Sequence, residues 1–536
     1  MIPFLLKLNP KTHNDLSQAK RKLASNFNSP IFTNSELLEK YHKYLKNTNT
    51  KPNLILLSLL KRRQVRTGSG VAPVAILTKP YPCPGKCIYC PNEKQMPKSY
   101  LSNEPAVMRA ILNKFNPYKQ IQSRLLALEA NGHNTDKIEL IIMGGTWSCL
   151  PKSYQLNYII KCFKACNEFG NTHIPTSNMP AESAGQYLKK LQKQNENVKH
   201  RIVGLTLETR PDFINIEEIK RMREFGCTRV ELGVQAIDDK ILSLNKRGHR
   251  IKETINATKL LRQAGFKICY HLMLNLPGSN PSKDLKMFKE IFSNQNYQPD
   301  LIKIYPCVVT KNAPLYNWVK QGNYIPYSPK ILTELIIKIK LIIPSYVRVI
   351  RVIRDIPTTS VISGNKISNL RENTHKIMAK RGLHCQCIRC REIGKFKIQN
   401  SKFKIKNYET SSGEEYFLSY EDLKQNKLLA FLRLQIPSND TLTENKSIYK
   451  YFPCLKNSAI IREVHTYGTL VPINKRLKRA TQHIGFGKKL IKKAEKIAFK
   501  KGYNKIVVIA GVGVREYYKK LGYKTQNTYM VKNLSL

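Results

Sequence analysis

The chain has 536 residues, with 91 Lys+Arg against 37 Asp+Glu and a formal net charge of +54, long enough for roughly two to four domains with cores of their own. A hydrophobic content of 41% argues against wholesale disorder, no apolar run approaches the ~20 residues of a membrane span, and Met1-Ile2-Pro3-Phe4-Leu5-Leu6-Lys7 is too short an apolar core for a secretory signal. The expectation is a soluble, cytoplasmic protein with no membrane role and a polyanionic partner, most simply nucleic acid.

Lysine inflation by biased codon usage is the alternative source of the charge, but the basic residues cluster. Lys51, Lys61, Arg62, Arg63, Arg66 and Lys79 share a stretch with no acid, and Lys475-Arg476-Leu477-Lys478-Arg479 forms a second group.

From 71 to 306, short apolar runs alternate with helical patterns. The runs predict strands at 71–78, 138–143, 202–207, 229–234, 267–274 and 300–305. Amphipathic stretches at 105–131, 153–167, 215–225, 251–265 and 281–291 predict helices between them. That β–α repeat specifies a parallel sheet with helices outside, open or closed into a barrel. Residues 307–394 are mixed, helical near 330–343, and 395–406 reads as a lysine-rich linker or a twisted edge strand. The pattern then changes. Strands at 416–420, 427–434 and 459–469 precede a helix at 485–501, a strand at 505–510, a helix at 515–521 and a last strand near 529–532, a smaller α+β domain.

Thirteen cysteines are too few for a disulfide scaffold, and six of them bunch in two groups. Cys83-Pro84-Gly85-Lys86-Cys87-Ile88-Tyr89-Cys90 is a C-x3-C-x2-C pattern just after the first predicted strand. Three thiolates so spaced can hold three irons of a [4Fe–4S] cluster and leave the fourth open for S-adenosylmethionine. With the β–α repeat behind it, the pattern matches the radical-SAM signature. Gly144 and Gly145 follow the next strand, where a backbone can approach a small ligand. Glu208, Glu231, Lys303 and Tyr305 put polar groups at later strand ends, for a task or for a structural ion pair.

His384-Cys385-Gln386-Cys387-Ile388-Arg389-Cys390 offers three more thiolates. Zinc is the leading assignment, with His384 or a distant side chain as fourth ligand and free buried cysteines as the alternative. Further on, Gln482-His483-Ile484-Gly485-Phe486-Gly487 is a Q-x-x-G-x-G pattern opening a helix, similar to the pyrophosphate loop of the GNAT acetyltransferase superfamily. Its backbone N–H groups and helix start can receive coenzyme A phosphates. Tyr517 and Tyr518 follow where that superfamily places a tyrosine near the thioester.

The combination resembles the catalytic subunit of Elongator, the tRNA wobble-uridine acetyltransferase family, from about 60 to 532. Beyond the cysteines and the glycine loop, the resemblance rests on Leu207-Glu208-Thr209-Arg210-Pro211-Asp212, Asn245-Lys246-Arg247-Gly248-His249, Arg354-Asp355-Ile356-Pro357 and Arg462-Glu463-Val464-His465-Thr466-Tyr467-Gly468. Pro91-Asn92 departs from it, standing where the family carries glycines.

The resemblance implies an α/β fold: a radical-SAM partial (β/α) barrel followed by an α+β GNAT acetyltransferase domain. Its divisions would be a basic tRNA-binding region over 1–65, the radical-SAM domain over 66–380, a cysteine-rich linker over 381–410 and the acetyltransferase domain over 411–536. It implies that a [4Fe–4S] cluster on Cys83, Cys87 and Cys90 cleaves S-adenosylmethionine, and that the resulting radical takes hydrogen from the acetyl methyl of acetyl-CoA. The new carbon radical adds to C5 of the wobble uridine, and thioester hydrolysis leaves a carboxymethyl group. Acetyl-CoA would be held by Lys137, by Glu463, Val464, His465 and Thr466, by Gln482, Gly485, Phe486, Gly487 and Lys488, and by Tyr518. Gly144, Gly145 and Glu208 would face the radical cofactor, with Lys303, Tyr305, Tyr517 and Tyr518 as catalytic candidates. The second cysteine group points to a bacterial or archaeal type acting without accessory Elongator subunits. Two other readings stay open: a protein lysine acetyltransferase using only the C-terminal domain, and a non-enzymatic RNA-binding scaffold.

Overall fold

The computed structural model describes residues 1–61, 69–170, 183–394, 398–438, 446–468 and 485–535. It opens with four helices, Ile2–Lys7, His13–Asn26, Asn34–Thr48 and Leu54–Leu60. Thr12 with Asp15 and Thr33 with Glu36 form capping boxes that start the second and third, each satisfying N–H groups with no partner inside the helix. Leu5, Leu23, Leu37, Leu38, Tyr41 and Leu60 give this bundle a core of its own.

Seven strands follow: β1 (Ala72–Leu77), β2 (Lys137–Met143), β3 (Arg201–Thr209), β4 (Arg229–Gln235), β5 (Lys267–Leu274), β6 (Leu301–Pro306) and β7 (Arg348–Arg351). They pair in chain order, every pair parallel. The sheet curls without closing, so the expected partial barrel is present. The six predicted strands all appear, and β7 was not anticipated: four residues give too short a pattern to stand out. The helix expected over 105–131 is two, Pro105–Leu112 and Pro117–Ala130. Lys114 and Phe115 take positive φ between them, and Pro117 cannot donate to a continuing helix.

Alternation decides what each face of this sheet meets. Ile138, Leu140, Ile142, Leu205, Leu207 and Val230 are buried in the apolar core. The other face is charged: the register sets Glu208 beside Glu231, Arg229 beside Lys267 and His271 beside Lys303. The barrel interior is therefore a set of ion pairs rather than an oily core.

A second seven-stranded sheet contains β8 (Ser401–Thr410), β9 (Gly413–Asp422), β10 (Lys427–Pro437), β11 (Ala459–Thr466), β12 (Lys505–Val508), β13 (Lys524–Gln526) and β14 (Tyr529–Asn533), in the order β13-β14-β12-β11-β10-β9-β8. Only β11 and β12 run parallel. The end of the lysine-rich stretch, from Ser401, belongs to an edge strand, β8, whose charges keep an exposed edge from pairing with another chain. Helix Phe486–Lys500 packs across β10 and β11.

The two sheets meet through buried polar contacts. Asp300, at the foot of β6, accepts from Arg462 of β11 at 2.9 Å and lies 3.4 Å from Arg433 of β10. Arg462 also reaches Glu415 of β9 at 3.1 Å. Glu463 pairs with Arg433 at 3.0 Å and with Lys267 of β5 at 3.5 Å. Tyr529 donates to the Ala264 carbonyl at 2.8 Å.

Candidate active site

Cys83, Cys87 and Cys90 lie on a loop over the carboxyl ends of the first sheet and line one pocket with Gly145, Glu208 and Tyr305. The loop is tied by its backbone: the Ile88 N–H donates to the Asn245 carbonyl at 3.2 Å and the Ile88 carbonyl accepts from Leu315 at 2.8 Å. Burial, with Cys87 nearby, pushes the Cys90 thiol up to about 11, outweighing the pull of Lys98 and Arg354 in the other direction. Two buried arginines stand near the other thiols. Arg247 Nη1 donates to Cys87 Sγ at 3.5 Å. A Cβ on Gly85 would collide with Arg210 Nη1, a buried donor with no hydrogen-bond partner in the structure, and would lie within 3.6 Å of the Cys83 and Cys87 sulfurs. Three thiols lining one pocket, buried guanidinium groups beside them and a glycine that leaves room for one of those groups suit a bound anionic iron–sulfur cluster.

Gly144 has φ +128°, and a side chain there would strike Thr78, so the turn after β2 requires glycine. Lys303, a catalytic candidate, is buried and ion-paired: its Nζ meets Glu231 and, at 3.4 Å, Glu208. Burial opposes the ammonium, but Glu231, Tyr305 and Glu208 outweigh it and hold Lys303 charged. His271 donates from Nε2 to Glu231 at 2.8 Å, and burial with Lys303 nearby keeps it neutral. Tyr100 donates to Glu208 at 3.0 Å. Arg354 donates to Ser99 Oγ at 2.8 Å and to Glu104 at 3.1 Å, bracing the loop that carries Tyr100. Tyr305 packs edge-on to His271 at 5.6 Å. Tyr100, Arg210, His271, Arg247 and Arg354 had no assigned role in the sequence. Arg210, Arg247 and Arg354 stand in motifs that carried the family resemblance, the one signal that could have marked them.

A second convergence lies on the other sheet. A Cβ on Gly487 would lie 3.1 Å from Tyr517 Oη and 3.7 Å from Thr466 Oγ1, so the end of β11, the start of helix Phe486–Lys500 and Tyr517 meet. Gly485 is that helix's N-cap, with φ +81°. Phe486 and Tyr518 are buried, and Lys488 is exposed. The Glu463 side chain is spent on Arg433 and Lys267, and strong local positive charge holds its carboxyl down at about 2 against the cost of burial. His465 Nε2 meets the Ser69 carbonyl at 2.7 Å. Val464, between them on β11, is half-buried. Lys137 opens β2, at the end of that strand away from the cysteine loop. Gln482, Arg62, Arg63, Arg66 and the 475–479 cluster lie outside the described residues.

Cys385, Cys387 and Cys390 have their sulfurs within 4.8 Å of one another. The histidine beside them is His375, with Nε2 3.6 Å from Cys390 Sγ, whereas His384 is exposed. Sequence adjacency favoured His384. Helix Leu370–Lys380 instead brings His375 across. Burial, then Lys340 and Arg371, hold His375 neutral, at about 4. Lys340 Nζ lies 3.6 Å from Cys390 Sγ. The group sits at the junction of the sheets, with the Ile388 N–H bonded to Val347 and the Ile393 N–H to Leu428.

Residues 81–291 match the family model described as the Radical SAM superfamily, and residues 299–380 match the Radical_SAM C-terminal domain. The chain is 43% identical over 522 residues to a tRNA uridine(34) acetyltransferase of Methanocaldococcus infernus, covering 94% of this chain and 91% of the relative. A tRNA uridine(34) acetyltransferase of Dehalococcoides mccartyi is 42% identical, over 88% and 99% of the two chains. Human Elongator complex protein 3 is 36% identical, over 90% and 87%. Among solved structures, archaeal Methanocaldococcus infernus Elp3 with N-terminal residues 1–46 deleted superposes with a TM-score of 0.72 at 41% identity, covering 87% of this chain and all of that one.

Proposed function

The chain belongs to the tRNA uridine(34) acetyltransferase family, shared with Elongator complex protein 3, and from that premise we propose that it installs a carboxymethyl group at C5 of the wobble uridine using S-adenosylmethionine and acetyl-CoA. It is a radical SAM enzyme. When bound, the [4Fe–4S] cluster supplies the electron that splits S-adenosylmethionine and so starts the radical chemistry at the acetyl methyl. Cys83, Cys87 and Cys90 hold it, and the glycine turn at 144–145 with Glu208 lines the space beside it. Against the cost of burial, Lys303 holds the Glu231 carboxyl well below its ordinary value and ties both Glu231 and Glu208 in place, so the pocket wall offers acceptors that do not reorganise.

The second sheet is read as the acetyltransferase half. β11 offers backbone groups to the pantetheine arm. The N–H groups at Gly485, Phe486 and Gly487 receive phosphates, and Tyr517 and Tyr518 flank the thioester. Glu463 and His465 act through the strand they stiffen, since both side chains are engaged elsewhere. The N-terminal helices and basic segment grip tRNA by its backbone, where phosphate contacts give affinity and an unstacked base gives specificity. The enzyme works in the cytoplasm without obligate accessory subunits. No helix among the described residues is long and apolar enough to cross a membrane.

One observation carries the reading: a cysteine loop over the carboxyl ends of one sheet and a glycine-opened helix against Thr466 and Tyr517 belong to halves locked together through Asp300. The test is nucleoside analysis of tRNA incubated anaerobically with the reduced protein, S-adenosylmethionine and acetyl-CoA. A carboxymethylated wobble uridine is expected. Its absence with the cluster intact, or acetyl transfer to a basic peptide without tRNA, overturns the proposal.

Cys385, Cys387, Cys390 and His375 are read as a structural zinc site clipping the halves together. His375→Ala is expected to lose most of the bound zinc in metal analysis and to lower the melting temperature. Unchanged zinc content would remove His375 as a ligand, and an unaltered chain without zinc would return the thiols to ordinary core packing.

A further inference from the structure

Arg247 lies in the loop after the short helix Asp239–Leu244 and is 7% exposed. Its Nη1 donates to Cys87 Sγ at 3.5 Å and its Nη2 to the Gly233 carbonyl in β4. Among the described residues no carboxylate lies within the 4.0 Å of an ion pair with it. The neighbouring Arg210 differs: Asp212 neutralises it through two bonds of 2.9 and 2.8 Å. A buried guanidinium needs an anion, because desolvating an unpaired charge costs several kcal/mol (~3–5 where a partner is removed). What Arg247 touches instead is the sulfur of Cys87, a candidate cluster ligand that is anionic when it binds iron. The backbone also makes room for this contact: a Cβ on Gly233 would lie 2.6 Å from Nη2, so a larger residue would push the guanidinium away.

Resting on the radical SAM reading of the cysteine loop, we infer that Arg247 is a positioning residue that raises the reduction potential of the cluster held by Cys83, Cys87 and Cys90. The cluster takes one electron from an external low-potential one-electron donor and gains one negative charge. A fixed cation hydrogen-bonded to a ligand sulfur stabilises the reduced form more than the oxidised form, and so moves the potential upward. Arg210, cancelled by Asp212, contributes far less net field. Arg247 therefore sets how readily the cluster reaches the state that splits S-adenosylmethionine, without touching the substrate.

The experiment is a redox titration of the full chain, reconstituted anaerobically with iron and sulfide and followed by the paramagnetic resonance signal of the reduced cluster. Arg247→Gln keeps its iron. At the wild-type midpoint its reduced-to-oxidised ratio falls about tenfold, which is 59 mV for a one-electron couple. Arg247→Lys recovers most of that loss because the charge remains. A glutamine variant with wild-type iron content and an unshifted potential overturns the inference. Should the glutamine variant hold no cluster, Gly233→Ala decides, since it displaces the guanidinium without deleting it. A lowered potential there supports the inference, and an unchanged one overturns it. Failure of the unaltered chain to take up a four-iron cluster sinks the reading of the cysteine loop itself.

Discussion

Asp300→Ala is expected to destabilise the folded protein by about 3–5 kcal/mol, the usual cost of deleting one partner from a buried ion pair. Asp300, Glu415 and Glu463 face Arg462, Arg433 and Lys267, three acids against three bases. Removing one acid leaves a cation uncompensated where Arg462 and Arg433 are wholly buried. Asp300 also accepts from the Ile268 N–H at 2.9 Å, so the truncation orphans a backbone donor in β5. The cost falls on the junction, because every arginine here reaches from the second sheet to the first. Denaturant unfolding should therefore split into two transitions where the unaltered chain shows one. A single transition at the unaltered midpoint would refute this.

The same cluster fixes a pH dependence. Burial opposes ionisation of Asp300 and Glu463, but Arg462 for the first and Lys267 and Arg433 for the second hold both carboxyls below their ordinary values, Glu463 at about 2. A depressed carboxyl contributes stability that is full above the unfolded value near 4.5 and is lost as pH falls through the folded one. Stability should fall between pH ~4.5 and ~2, and Asp300→Ala should flatten that slope, read from unfolding midpoints at stepped pH.

How much of this could be read beforehand follows from sequence separation. Strands β1 to β6 were legible because one face of each is a run of Ile, Leu and Val at period two. The interior charges were visible as residues and not as pairs. Lys303 could equally have been exposed, since its partners Glu208 and Glu231 stand 95 and 72 positions away. Arg433 alternates with Leu432 and Leu434, as a solvent-facing side chain on an ordinary strand would, and Arg462 stands beside Glu463 as an exposed ion pair would. Only the packing of a second sheet against the foot of β6 buries them. Arg247 meets Cys87 across 160 positions and Arg354 meets Ser99 across 255, and no local pattern encodes such contacts. The cysteine loop and the glycine loop were legible because their chemistry needs several residues close together in the chain. His375 was not, because a helix and not a motif delivers it.

Serine at Cys83, Cys87 or Cys90 is expected to reduce tRNA modification to the limit of detection, because an alcohol is a poor iron ligand beside a thiolate. The change is nearly isosteric, and the loop is held by backbone bonds of Ile88 to Asn245 and Leu315. The fold and tRNA affinity should therefore survive while iron per chain collapses. Cys149 makes the experiment discriminating. It sits beside the same loop, 3.8 Å from the Pro82 carbonyl, yet its thiol donates to the Thr146 carbonyl at 2.9 Å and it is absent from the pocket lining. Cys149→Ser should keep full iron content and activity. Iron retained in Cys87→Ser, or lost in Cys149→Ser, would mean that the ligands had been misassigned. The first outcome would also take from Arg247 its contact with a cluster ligand, and with it the ground for its effect on the potential.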